Sequence, residues 1–204
     1  YHAGIAVRRL HVTCQAPGGH SWLHYGRPSA VHALIDASAR IITLNPPTDP
    51  RTTFNIGLIN GGHSINSIAM NADLYLDMRS ESVATLADFE QEVRAAIQAV
   101  ERPHVDLAIE VVGDRPSGHI PVKHPLVQLA TAALQAIDHQ PEYETGSTDA
   151  NIMLAHGLPT VTIGITYGGN AHRLDEYIET KPISFGIWQL VLLTLAAADY
   201  LHTG

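Results

Sequence analysis

The chain is poor in cysteine, in basic residues and in long apolar runs, and each shortage excludes a class of protein. With one cysteine among 204 residues, Cys14, it has no intrachain disulfide and no cysteine-rich zinc site. Lys and Arg together number 12 against 20 Asp and Glu, a formal charge of −8. Nucleic-acid affinity comes from clustered Lys and Arg, so no nucleic-acid partner is expected. The longest apolar stretch, Ile183 to Leu201, is interrupted by Gln189, Thr194 and Asp199. It reads as a buried helix rather than a bilayer span, so no membrane partner is expected either. The chain opens on Tyr1 with no signal-peptide pattern, and targeting is not legible at that end. What is abundant is histidine: 13 residues, more than Lys and Arg together. Histidine serves metal ligation, proton transfer and pH sensing, although most of these side chains are expected on solvated surfaces.

Hydrophobic spacing divides the chain. Residues 5–14 are rich in β-formers and stop at Pro17-Gly18-Gly19, which predicts a strand. Ser29 is a candidate helix N-cap, and Val31, Leu34, Ile35, Ser38 and Ile41 follow at helical spacing. Phe54, Ile56 and Leu58 alternate, as do Ala72, Leu74, Leu76 and Met78 against Asp73, Tyr75, Asp77 and Arg79. Leu86, Phe89, Val93, Ile97 and Val100 mark a second amphipathic helix, and Val105, Leu107, Ile109 and Val111 a last strand. Strand, helix, strand, strand, helix, strand is the ferredoxin-like βαββαβ order, two helices on one face of a four-stranded antiparallel sheet. This domain is expected over 1–115. The remainder, 116–204, has a helix over 124–138, a short helix from Asp149, an apolar strand over 160–166 of the kind buried on both faces, and a C-terminal helix from Ile183. Its alternation is α/β, but too few strands are present for a whole sheet, and it reads as half of a domain. The fold class is therefore α/β (α+β).

Three loops carry candidate chemistry. Gly168 to Tyr177 follows the apolar strand, where α/β sheets place ligands, and holds Gly169, Asn170, His172 and Glu176. A neutral imidazole there suits a borderline metal, and a nearby carboxylate suits a partner that orients the ring. Gly146-Ser147-Thr148-Asp149 reads as a helix start, or as backbone N–H groups that hold a substrate oxyanion. Pro17-Gly18-Gly19-His20-Ser21 presents an imidazole on a tight turn. Arg79, at the end of a strand, is either ion-paired or a fork for a carboxylate.

Taken together, Pro17 to Ser21, Gly61-Gly62 with Asn66, Ala72 to Arg79, Gly146 to Ala150 and Gly168 to Ile178 resemble, in order and spacing, the M20 family of zinc-dependent peptidases and amidohydrolases. The resemblance implies a lid, or dimerisation, domain followed by the C-terminal half of an α/β catalytic domain. It implies a homodimer formed through the lid, acting on peptides or N-acyl amino acids. By position it makes His172 a metal ligand and His20 the donor that stabilises the oxyanion of the attacked amide across the dimer. Asn66, Arg79, Ser147, Thr148, Asp149, Gly169 and Asn170 become substrate contacts, and Glu176 a carboxylate behind His172. One departure is Ala69, where the family commonly has a proline. The cofactor implied is zinc, two per active site in a complete enzyme and at most a partial site here. The family's His-x-Asp ligand pair, bridging Asp and Glu-Glu base lie ahead of the lid, so the chain is expected to hold none of them. It is expected to be an incomplete, inactive part of a cytoplasmic enzyme. A non-catalytic dimerisation or binding module is the alternative, and a pseudoenzyme that has lost its first half a third reading.

Overall fold

The computed structural model describes residues 1–203. In chain order its elements are β1 (Ala3–Gly4), β2 (Ala6–Gln15), β3 (Gly19–His20), α1 (Ala30–Ile41), β4 (Thr52–Gly61), β5 (Ser67–Ile68), β6 (Asn71–Ser80), α2 (Val83–Gln98) and β7 (Asp106–Arg115). There follow β8 (Gly118–His119), α3 (Pro125–Gln135), β9 (Thr145–Gly146), α4 (Ala150–Ala155), β10 (Gly168–Gly169), β11 (Tyr177–Ile178) and α5 (Ile183–Thr203). They form two units: Ile5–Ser117, and a second made of Tyr1–Gly4 with the chain from Gly118 onward.

In the first unit a four-stranded sheet runs in the order β4-β6-β2-β7, every neighbour antiparallel. This is the expected ferredoxin-like arrangement. The period-two alternation sorts the side chains: Leu10, Val12 and Cys14 of β2 and Ala72, Leu74, Leu76 and Met78 of β6 are buried under α1 and α2. Leu34 and Ile41 of α1, with Phe89, Val93 and Ile97 of α2, complete that core. Burial pushes the Cys14 thiol up, so it behaves as a small core hydrophobe. Ser82 Oγ accepts from Thr85 N at 3.3 Å and starts α2. Ser29 holds the N-cap position of α1, buried, without a side-chain cap bond.

The second unit differs from expectation in two places. Residues 160–166 are extended but form no ladder strand. Thr162 exchanges backbone hydrogen bonds with Tyr1, at 3.0 Å and 2.7 Å, but the backbone groups of Ile163, Gly164 and Ile165 meet no protein partner among the described residues. The β-branched composition predicted a strand buried on both faces. What is missing is a neighbouring strand: among the described residues only Tyr1 pairs with this segment, at Thr162. Second, α5 was expected to be buried, and it is largely bare. Gly186, Gln189 and Leu193 face inward, whereas Phe185, Ile187, Trp188, Leu195 and Leu201 are exposed. The helix is apolar around its whole circumference, and α3 covers only one flank of it. By length and composition alone α5 is long and apolar enough to cross a membrane.

Gly186 is where α5 touches the extended segment: a Cβ there would lie 1.9 Å from the Ile165 carbonyl oxygen. An Ala in mid-helix ordinarily gains about 1 kcal/mol over Gly. Here Gly186→Ala is expected to cost about 1–3 kcal/mol, because backbone cannot yield as a flexible side chain does. Urea unfolding read at Trp188 checks the sign, and a stabilised variant would refute the packing.

Candidate functional site

The lid end of the first unit is built by register. β6 pairs with both β2 and β4, and Ala72 lies between Cys14 and Gly61. The chain leaving β2 and the chain joining β4 to β6 therefore emerge side by side. A small second ladder ties them, β3 to β5, with Gly19 opposite Ile68 and His20 opposite Ser67. Ser21 N then donates to Asn66 O at 3.0 Å. Gly18 makes the turn at φ 67°, where a Cβ would stand 2.2 Å from Met70 Cγ. The turn forms with Ala69 in place of the family's proline: its carbonyl accepts from Ala30 N at 2.9 Å.

This pairing orients two side chains. Trp22 N donates to His20 Nδ1 at 3.2 Å, so Nδ1 is an acceptor and the neutral ring carries its proton on Nε2. That N–H points out of the turn, since His20 is exposed. His20 N in turn donates to His24 Nδ1 at 2.9 Å. Ser64 Oγ donates to Asn66 Oδ1 at 2.7 Å, which leaves the Asn66 amide NH₂ as a free donor. Two candidate residues, 46 positions apart in sequence, thus lie on paired backbone segments, each with an exposed side chain. The role of His24 was not read from the sequence, where one more loop histidine carries no signal.

Arg79 stands apart from them, on the sheet face away from the helices. Its Nε donates to Asp77 Oδ2 at 2.6 Å, and Arg9 Nε donates to Asp77 Oδ1 at 2.8 Å. Burial pushes the Asp77 carboxyl up, but hydrogen bonds from Arg79 and Arg9 and their charges prevail and hold it below its ordinary 3.8. Beside this triad His11 stacks on Tyr75, with ring centroids 4.2 Å apart, and its Nε2 lies 3.4 Å from Asp73 Oδ2. Arg79 is therefore first an ion-pair partner, and only its outer Nη edge remains for a ligand.

In the second unit, β10 and β11 pair Gly168 with Ile178 and Gly169 with Tyr177, so the loop between them projects as a hairpin. His172 lies in it at φ 65°, exposed. The Glu176 carboxylate accepts from His172 backbone N at 3.2 Å and so shapes the turn rather than orienting the ring. Asn170 Nδ2 donates to Asp175 Oδ2 at 3.0 Å. In the other loop Gly146 pairs with Gly4. Thr148 is committed internally: its N donates to Asn151 Oδ1 at 3.0 Å, and its Oγ1 meets Thr162 Oγ1 at 3.1 Å and accepts from Ala150 N at 3.3 Å. Ser147 precedes it, and Asp149 begins the short helix α4.

The donor set does not fit a zinc ion by itself. Among the described residues no three of His, Cys, Asp and Glu converge as a metal site, whereas zinc requires three or four ligands. His172 offers one. Contrary to expectation a His-x-Asp triplet does occur, His104-Val105-Asp106. It forms the turn into β7, where Val105 N donates to Arg102 O at 3.0 Å, and belongs to the first unit rather than to that of His172. No Glu-Glu pair is present.

A ferredoxin-like unit whose two loops are laced together at one sheet end, followed by an α/β segment, defines the class of architecture: a ferredoxin-like domain joined to part of an α/β domain. Comparison bears this out. Residues 6–105 match the peptidase dimerisation domain of the M20 family, and this part of the chain is a domain of that family. It is 29% identical over 192 residues to the acetylornithine deacetylase of Klebsiella pneumoniae, covering 88% of this chain and 48% of that protein. In fold it is similar to the aminopeptidase PepT of Bacillus cereus, with a TM-score of 0.73 and 20% identity over 97% of this chain and 53% of that one. A tripeptidase from Staphylococcus aureus superposes with a TM-score of 0.77 at 17% identity, again over 97% of this chain and 53% of the other. The chain spans about half the length of the relatives it matches.

The Asp77 triad has a pH signature. A carboxyl held low when folded adds stability that is fully present above its unfolded value and is lost as the pH falls through the folded one. Asp77→Asn is expected to lower stability at pH 7, and its deficit against the parent chain should close as the pH drops below about 4. Urea midpoints measured from pH 7 to pH 2 check this. A deficit independent of pH would show that the two arginines do not hold the carboxylate.

Proposed function

We propose that the chain is the lid and part of the catalytic unit of a zinc-dependent M20-type hydrolase that cleaves peptide or N-acyl amide bonds. The observation that carries this reading is the β3–β5 ladder, which holds the loop of His20, with its Nε2–H outward, beside the loop that carries the Asn66 amide. An attacked amide gathers negative charge on its oxygen, and fixed N–H donors aimed at that oxygen lower the barrier because they need no reorganisation. A neutral imidazole with Nε2 protonated is the required form. Asn66, beside it, holds the substrate's polar backbone in register, and the Arg79 outer edge is free for a carboxylate.

His172 supplies one metal donor in this reading, and donors from outside the chain complete the zinc site. The open edge at Ile163–Ile165 and the bare flank of α5 support such a completing segment. The chain by itself is then inactive. The working state is a homodimer through the lid, in the cytoplasm, with neither nucleic acid nor membrane as a partner. The second reading, a dimerisation module without chemistry, draws on the completeness of the lid and on the absence of a three-ligand cluster among the described residues.

Activity assays on the assembled, zinc-loaded protein with short peptides and N-acetyl amino acids decide between the two. His20→Ala is expected to lower kcat about 10²- to 10³-fold with KM little changed, the usual cost of one oxyanion donor. His172→Ala is expected to lower bound zinc as well as activity. An assembled protein that holds zinc but hydrolyses neither substrate class would leave the dimerisation module as the function.

A further inference from the structure

The lid carries a cavity that the reading above does not use. It has a volume of about 460 Å³ and lies between the loop that follows His20 and the loop that contains Asn66. Tyr25 and Ile65, both almost fully exposed, form its walls with Ile68, and Arg27 and His32 supply its polar side. No acidic residue lines it. Large apolar side chains left so bare mark binding surfaces rather than ordinary surface scatter.

The Arg27 guanidinium is the unspent charge. It makes one long hydrogen bond, Nη1 to Gly18 O at 3.5 Å, and no ion pair among the described residues. Arg9 and Arg79, in contrast, share Asp77. A guanidinium in an acid-free, partly apolar concavity is complementary to a planar carboxylate. Ser21, whose N donates to Asn66 O, and Ser67, paired with His20, are both in the lining, so the cavity is flanked by the chain neighbours of His20 and Asn66.

We infer that this cavity is the subsite for the amino-acid half of the substrate: Arg27 binds a free α-carboxylate, and Tyr25 and Ile65 receive an apolar side chain. Arg27 is then a specificity-determining residue, and the preferred substrates are N-acyl or peptidyl derivatives of apolar amino acids with a free carboxyl end. The inference rests on the proposal that His20 and Asn66 face the substrate, and it moves carboxylate recognition from Arg79 to Arg27.

Two measurements keep the inference and that proposal separable. In the full chain carrying Trp188→Phe, Trp22 is the sole tryptophan, and it follows Ser21 of the cavity lining directly. Its emission is expected to change saturably with N-acetyl-leucine, and about 10- to 100-fold more weakly with N-acetyl-leucinamide or after Arg27→Met. Arg27 is exposed, so an unchanged melting temperature shows that the variant is folded. Equal binding of acid and amide, unaltered binding in Arg27→Met, or no saturable change with either ligand would each overturn the inference. In the assembled enzyme, Arg27→Met is expected to raise KM for the free acid about tenfold or more while kcat stays within about twofold. Hydrolysis with unaltered acid selectivity removes the subsite and leaves the hydrolase standing. Acid-selective binding without any hydrolysis removes the hydrolase and leaves the subsite.

Discussion

The register of β6 against its two neighbours is the constraint on which the lid depends. Each antiparallel ladder is fixed because a slip by one residue would turn Leu74, Leu76 and Met78 out to water and Asp73, Asp77 and Arg79 into the core. Once Ala72 is locked between Cys14 and Gly61, the two loops beyond that end of the sheet have nowhere to go but alongside one another. The short β3–β5 pairing then needs only two residues from each side. His20 and Asn66 are neighbours because hydrophobic burial on the opposite face of the sheet sets the register of strands that contain neither of them.

The same alternation decides the character of the other sheet face. Every second residue of β2 and β6 must face away from the helices, and here all of those residues but Val7 are charged, polar or aromatic. Arg9, Asp77 and Arg79 satisfy one another, and His11 lies flat on Tyr75. A strand-end arginine in a motif looks like a free ligand fork. Its position two residues along β6 from Asp77, which lies directly across from Arg9, makes it part of a surface ion-pair ladder first. Arg27, in a loop whose composition shows nothing unusual, is a guanidinium without an acidic partner among the described residues.

The second unit shows where local pattern reading stops. The composition of residues 160–166 predicts a strand that does not form, because a strand is defined by what lies beside it, and among the described residues only Tyr1 pairs there. The all-round apolar sequence of α5 was read as burial, yet burial is a property of neighbours. Only the Gly186, Gln189 and Leu193 side is covered among the described residues. The Gly168–Ile178 loop is legible as a candidate site by its glycines and histidine. That Glu176 holds the backbone of His172 rather than its ring is not, since both arrangements have the same spacing.

By itself the amino-acid sequence determined the order and kind of elements in the lid, its buried face, and the loops that carry His20, Asn66 and His172. Period-two and period-3.6 spacing and glycine punctuation are local properties, written in consecutive residues. The tertiary structure alone decided that His20 and Asn66 meet, that the His20 proton sits on Nε2, that Arg79 is paired while Arg27 is not, and that no three metal donors converge among the described residues. Each of these depends on distances between groups far apart along the chain, and those distances exist only once the sheet has closed its register.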